Sequence, residues 1–226
     1  MGQSPLTVRY RSLSLLALAV AMAFPFAWLH SSHNLADMQG DLRIIAIEWT
    51  VTLLIALYVF GFEHRTWADL SLRRIMRRDV LAMVAAIAVG SALAGIAGRF
   101  VQTPTTFPNL LRQLAALPIT LRVALVCTAG ICEEFLYRGF AIEEIGRLSG
   151  SRWLGAGISL LVFTLAHGGL YGWTSALIIP FAIGTALTLL YMWRRNLPVC
   201  MLMHAGTDAW TLIVLPLVAS HLGVSA

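Results

Sequence analysis

Charge is what this sequence has least of. Only 12% of its 226 residues are charged against 58% hydrophobic, where soluble domains run to about 25% charged and 45–50% apolar. Together with a mean hydropathy of +0.78, this excludes an ordinary soluble domain and predicts an all-α, polytopic membrane protein embedded in a lipid bilayer. Lysine is missing altogether, so the 16 basic residues are all arginine. A net charge of +5 could suit nucleic acid. The arginines, however, sit in short segments between apolar runs, where positive-inside topology accounts for them and no nucleic-acid partner is needed. Cysteine is scarce too. Cys127, Cys132 and Cys200 lie within apolar runs and lack the paired spacing of a disulfide framework or a zinc ribbon, so they read as packed thiols. No internal repeat, low-complexity tract or separate soluble domain interrupts the chain, and residues 1–226 read as one membrane domain.

Apolar runs are what the sequence has in abundance. At roughly 20 residues per crossing, about seven spans are expected, near 13–30, 42–62, 80–98, 119–140, 153–169, 173–193 and 197–219. Arg9 and Arg11 before the first run would also suit a signal peptide, but its apolar stretch is longer than the usual 7–15 residues. It is read as a span. Arg9 and Arg11, the stretch Arg65 to Arg78, Arg147 with Arg152, and Arg194 with Arg195 fall on alternate loops. The amino terminus is therefore expected in the cytoplasm and the carboxyl terminus outside, in the cell membrane and specifically a bacterial inner membrane. Arg99 and Arg112 lie on the other side. "WADLSLRRIMRRDV" suits a basic amphipathic helix on an anionic surface or a charged topology anchor. "TPTTFPNLLRQLAALP" reads as an external loop with a short amphipathic turn. Gly90, Ala94 and Gly98, spaced by four, fit close helix packing.

Ionisable residues inside spans are functional candidates by default. Here they are Glu48, Glu133, Glu134, His167, His204 and Asp208. Glu134 and Arg138 are i,i+4 with the acid first, the better orientation for a pair, which leaves Glu133, about 100° around the helix, for chemistry. Glu133 lies 17 residues before Gly150 and His167 lies 17 after it. Equal counts in an antiparallel hairpin would place the two at one height. His204, eight residues past Asn196, sits about 12 Å into its span, close to the roughly 10 Å depth of Glu133. His204 and Asp208 share a helix face, with Cys200 one turn earlier. Glu48 has no motif partner and reads as a bond to a neighbouring helix. A buried cluster of Glu133, His167, His204 and Asp208, reachable from the cytoplasm, could activate a water for attack on a carbonyl and stabilise the oxyanion. The same four residues could hold zinc with an open position for water. The residue types leave both readings open, together with a proton- or ion-coupled transporter, although no duplicated halves or matched Gly/Pro-broken helices support transport.

Glu133-Glu134-x-x-x-Arg138, Phe163-x-x-x-His167 and His204-x-x-x-Asp208, in that order on successive spans, resemble the three motifs of the CAAX protease and bacteriocin-processing (CPBP, or Abi) family of intramembrane proteases, to which the type II CAAX prenyl endopeptidase belongs. The resemblance covers residues 119–219, the expected catalytic core. It implies a helical core with a cytoplasm-facing cavity and hydrolysis of a peptide or protein substrate, with Glu133 and His167 activating water. His204 and Asp208 would form the oxyanion hole, and Glu134 with Arg138 would support the site. Family members are often described as metalloproteases, although a metal-free glutamate mechanism has also been argued. Many members carry asparagine where this chain has Asp208. An ionised aspartate has no donor for an oxyanion, so Asp208 would be protonated, orient His204 or ligate a metal. Some members are linked to bacteriocin self-protection, which leaves a non-catalytic immunity or scaffold role as a further reading.

Overall fold

The computed structural model describes residues 5–29, 38–99, 116–168 and 177–221. Among them are seven helices and no strand, an all-α bundle. Helix α1 is Pro5–Leu29. Helix α2 is Met38–Ala56, continued by Leu57–Phe62 in the wider π winding. Helix α3 is Arg77–Gly98. Helix α4 begins as Ile119–Thr128, widens to π winding over Ala129–Ile142 and closes as Glu143–Ser149. Helices α5 and α6 are Arg152–Ala166 and Ile178–Arg194. Helix α7 runs from Leu197–Ala209 through a π turn, Trp210–Val214, to Leu215–His221.

Each expected span has a helix over it. By length and composition, Met38–Phe62, Arg77–Ile96 and Leu197–Val218 can cross a bilayer, and 12–24, 152–166 and 178–194 are shorter apolar helices. Helix α4 stands apart because it carries Arg122, Glu133, Glu134 and Arg138. It is also the most enclosed helix: Glu134 to Glu144 are buried on every face by packing against α1, α2, α5 and α7. The surrounding helices face lipid with the apolar side chains that α4 does not need, and they keep its charges out of hydrocarbon.

Small residues set how closely these helices approach. A Cβ on Gly130 would come within 2.9 Å of Ala205 Cβ on α7, and one on Gly139 within 2.7 Å of Leu197. A Cβ on Gly155 would meet the Ile142 carbonyl oxygen at 2.6 Å, and one on Gly184 would meet Phe163 at 2.9 Å. Gly90 does the same for α3, with Ala186 of α6 at 3.0 Å, whereas Gly98 meets nothing within 4 Å among the described residues. The expected small-residue seam is therefore present at Gly90.

The 67–78 stretch is not a surface amphipathic helix. A single 3-10 turn, Trp67–Leu70, is fixed by reciprocal bonds between Thr66 and Asp69 and ends at Ser71, which has a left-handed backbone. The Thr66 N–H and hydroxyl hold the Asp69 carboxyl below the usual carboxylate range. The following residues turn inward. Arg73 Nε donates to the Arg195 carbonyl at 2.7 Å, Leu197 N–H donates to the Ser71 carbonyl at 2.9 Å, and Asn196 Nδ2 donates to Asp79 at 3.0 Å. Arg73, which composition assigns to lipid headgroups, instead fastens the α6–α7 turn, while Arg74, Arg77 and Arg78 are exposed. The expected 103–118 loop lies outside the described residues, Ala116 to Pro118 excepted.

Candidate active site

The two glutamates of "CEEFLYRGF" separate where α4 is widest. Glu134 is fully buried, and its Oε1 accepts from Arg138 Nη1 at 2.7 Å and bonds His204 Nδ1 at 2.8 Å. Arg138 is equally buried. It donates Nη2 to the Gly184 carbonyl at 3.3 Å and lies 4.3 Å over the Phe163 ring. The Phe163 ring also meets Tyr137 edge-on at 5.4 Å, His167 at 4.6 Å and His204 at 5.9 Å. One ion pair and one ring thus lock α4, α5, α6 and α7 together. The i,i+4 pairing expected for Glu134 is present, but Glu134 also crosses to His204, a link that spacing along one helix cannot reveal. His204 Nε2 stands 3.6 Å from Asp208 Oδ2, farther than a hydrogen bond, on a side chain 31% exposed.

Glu133 is held differently. It is only partly buried, and its Oε2 is enclosed without a hydrogen-bond donor among the described residues. Asp208 feels the charges of both Glu133 and His167 as well as that of His204, so the motif residues share one electrostatic neighbourhood. His167 closes α5, and its Nδ1 is 2.8 Å from the Phe163 carbonyl oxygen. A carbonyl can only accept, so Nδ1 carries the proton and Nε2 is the basic nitrogen of the neutral ring.

The hairpin register differs from an equal count about Gly150. Gly150 makes the turn with a φ of 78°, and Ser151 caps α5 by accepting from Leu154 N–H. Ser159 Oγ donates to the Tyr137 carbonyl at 2.7 Å, and Gly155 packs on Ile142. Carried on at that offset, Glu133 is level with the Phe163–Thr164 region, about one turn short of His167. The offset is already present beside the turn, at the Gly155–Ile142 contact, because the turn is not symmetric about Gly150. The His167 side chain leans back toward the amino end of α5, as helical side chains do, and recovers part of that turn.

Zinc at Glu133, His167, His204 and Asp208 does not fit this arrangement. Among the described residues no three His, Cys, Asp or Glu side chains converge as ligands. Cys132 and Cys200 are buried free thiols and Cys127 is exposed. Glu48, set aside on sequence grounds, proves to be a neighbour of the cluster: its carboxyl feels Glu133, His204 and Asp208.

A cleft of about 730 Å³ opens at the arginine-rich end of the bundle. It is lined by Glu63, Arg65, Glu143, Arg147, Arg152 and Arg195 among others, and it contains none of the motif residues. Its charges are paired. Glu144 takes Arg147 at 2.6 Å and Arg65 at 3.1 Å, while Glu143 takes Tyr191, Arg152 and Arg195. The bond from Glu144 holds the Arg147 guanidinium above its ordinary pKa. Trp67, Trp153 and Trp193 are exposed next to arginines along the same end, as aromatic residues at a membrane–water boundary are.

No curated protein and no solved structure matches the chain. Residues 115–210 match the family described as "Type II CAAX prenyl endopeptidase Rce1-like", a segment that contains all three motifs and the Glu134–Arg138–His204 lock. The match spans less than half of the chain, and over this segment the chain is similar to that family.

Proposed function

We propose that the chain hydrolyses a peptide bond of a membrane-associated peptide or protein with water activated by Glu133 and His167, without a metal ion. The observation that carries this reading is the unequal treatment of two adjacent glutamates: Glu134 is fully buried and tied through Oε1 to Arg138 and His204, while Glu133 is only partly buried and has no arginine or histidine bonded to it among the described residues. Glu133 and the Nε2 atom of His167 take the proton of a water as its oxygen attacks the scissile carbonyl carbon. His204 in its imidazolium form, with Nδ1–H held by Glu134, offers Nε2–H to the oxyanion. Asp208 orients that ring. Collapse of the tetrahedral intermediate breaks the C–N bond as the proton passes to the leaving amine. Arg138 and Phe163 position Glu134 and His204 and touch no substrate. The alternate placement of arginines and the row of exposed tryptophans support an arginine-rich cytoplasmic face with the amino terminus on that side.

Purified protein in liposomes tests the reading directly. A panel of peptides, with and without a prenyl group on cysteine, is incubated in water enriched in oxygen-18 and the fragments are weighed. One heavy oxygen in each new carboxylate, lost with Glu133→Ala, His167→Ala and His204→Ala, is the expected result. Cleavage that survives all three substitutions would overturn it.

A further inference from the structure

The cleft at the arginine-rich end holds none of the motif residues and takes no part in the hydrolysis. We propose that it binds the phosphoethanolamine headgroup of a membrane lipid, with the phosphate on Arg152 and Arg195 and the ammonium on Glu63. The proposal does not depend on the hydrolytic reading.

The lining comes from three places: the carboxyl end of α4 with Glu143 and Arg147, the segment after α2 with Glu63 and Arg65, and the start of α5 and the α6–α7 turn with Arg152 and Arg195. Two adjacent acids of α4 hold the four arginines. Glu143 accepts from Arg152 Nε at 3.3 Å on Oε2 and from Arg195 Nη1 on Oε1, and Tyr191 stacks under the Arg195 guanidinium. Glu144 accepts from Arg65 Nη1 at 3.1 Å and from Nε and Nη2 of Arg147. One carboxylate thus carries two guanidinium groups, each fixed by one edge. Among the described residues, Nη1 and Nη2 of Arg152 and Nε and Nη2 of Arg195 have no hydrogen-bond acceptor. Arginines pre-set in this way present paired donors that match phosphate oxygens.

Charge divides the cleft into two halves. Arg152 and Arg195 against Glu143 leave one positive charge, whereas Arg65 and Arg147 against Glu63, Glu144 and Asp69 leave one negative charge. A zwitterion with phosphate at one end and ammonium at the other complements both halves, and a simple anion complements one. Glu63 supplies the acceptor for the ammonium. Its side chain is 6% exposed, its Oε1 takes Tyr58 and Arg147 at 2.9 Å, and its Oε2 has no hydrogen-bond donor among the described residues, with Arg65 Nη1 at 3.6 Å. A primary ammonium brings three N–H donors to such an acceptor. The setting favours a lipid as the source. Exposed Trp67, Trp153 and Trp193 flank the lining arginines at the depth of a membrane–water boundary. Arg147 Nη2 donates to Ser14 of α1 at 2.9 Å, α1 packs against α5, and exposed Leu16, Val20, Leu154 and Leu161 lead away from the cleft along these two helices. Acyl chains have an apolar surface there that a soluble ester cannot use.

Binding to the delipidated full chain in detergent decides the point. Phosphatidylethanolamine, phosphatidylcholine or phosphatidylglycerol is titrated in, bound lipid is counted by native mass spectrometry, and the thermal midpoint is read on the same sample. A single retained phosphatidylethanolamine per chain and a raised midpoint are expected. Phosphatidylcholine, whose quaternary nitrogen has no N–H for Glu63, and phosphatidylglycerol, which has no cation, should each bind at least about tenfold more weakly. Arg152→Gln alters a side chain that is 60% exposed and outside the motifs. It should weaken phosphatidylethanolamine about tenfold without moving the lipid-free midpoint. Glu63→Gln should bring the three lipids within about threefold of one another. Should Glu63→Gln lose the fold, Arg152→Gln alone decides. Equal binding of the three lipids, or native affinity in Arg152→Gln, would overturn the proposal. Glycerophosphoethanolamine binding as tightly as the lipid would assign the cleft to a soluble ester, and displacement of the lipid by a hexapeptide alternating arginine and glutamate would assign it to a polypeptide. Either result removes the lipid from the cleft.

Discussion

Two groups of buried carboxylates lie within the same bundle, and they are treated in opposite ways. At the arginine-rich end every oxygen of Asp79 is used. Oδ1 takes Arg194 at 2.9 Å and Arg73 at 3.2 Å, while Oδ2 takes the Met76 N–H at 2.9 Å and Asn196 at 3.0 Å. Glu143 and Glu144 are bonded at both oxygens as well. In the motif region the pattern reverses, and among the described residues Glu48, Glu133 and Glu134 each keep an enclosed oxygen without a donor. An unsatisfied buried acceptor costs about 1–3 kcal/mol, a cost met once at the arginine-rich end, at Glu63 Oε2, and three times in the motif region among the described residues. The more complete satisfaction there fastens loops and helix ends. Partial satisfaction here leaves acceptors for a water or a substrate, as functional sites do.

Substitutions can break this contrast, beginning with the largest effect. His167→Ala removes the proposed base and should lower kcat by about 10²–10⁴-fold, with helix content by circular dichroism unchanged. Arg138→Met leaves the Glu134 charge buried without its partner and should destabilise the bundle by roughly 3–5 kcal/mol, read as a lower thermal midpoint in detergent. Asp79→Asn removes the charge that holds Arg73 and Arg194 and should cost about 2 kcal/mol, yet the protein that remains folded should cleave at the native rate. If Asp79→Asn lowers kcat without moving the midpoint, the two regions are not distinct. Asp208→Asn should change kcat by less than about tenfold, because an amide orients His204 as a carboxylate does and adds a donor. Removal of divalent metals with a chelator should leave the rate unaltered.

Much of the bundle is legible in the sequence because a bilayer imposes length and apolarity on each helix. The Glu134–Arg138 pair and the turn at Gly150 are legible for local reasons, i,i+4 spacing in one case and a small residue after a helix in the other. Four features are not. The asymmetry of the turn about Gly150 has no residue signature, so an equal count places Glu133 level with His167, about one turn too far along α5. The bond from His204 to Glu134 joins helices 70 residues apart, and spacing within α7 could pair His204 only with Asp208. The arginines of 73–78 share composition with a lipid-binding helix, and only the αL backbone at Ser71 and the buried Asp79 turn Arg73 inward while Arg74, Arg77 and Arg78 stay exposed. Glu48 carries no motif, and its place beside the cluster depends on the packing of α2 against α4. A glutamate in a span next to a tryptophan is the one sequence signal that could have flagged it.

Glu133→Gln and Glu134→Gln, prepared in parallel in liposomes, put the division between chemistry and structure to its most direct test. For each protein, kcat for peptide cleavage and the thermal midpoint are measured on the same sample. The expected result is a loss of about 10²-fold or more in rate at an unchanged midpoint for Glu133→Gln, and a clear drop in midpoint for Glu134→Gln. A Glu133→Gln protein that cleaves at the native rate, or that unfolds as readily as Glu134→Gln, would contradict the assignment of Glu133 to the reaction and Glu134 to the scaffold.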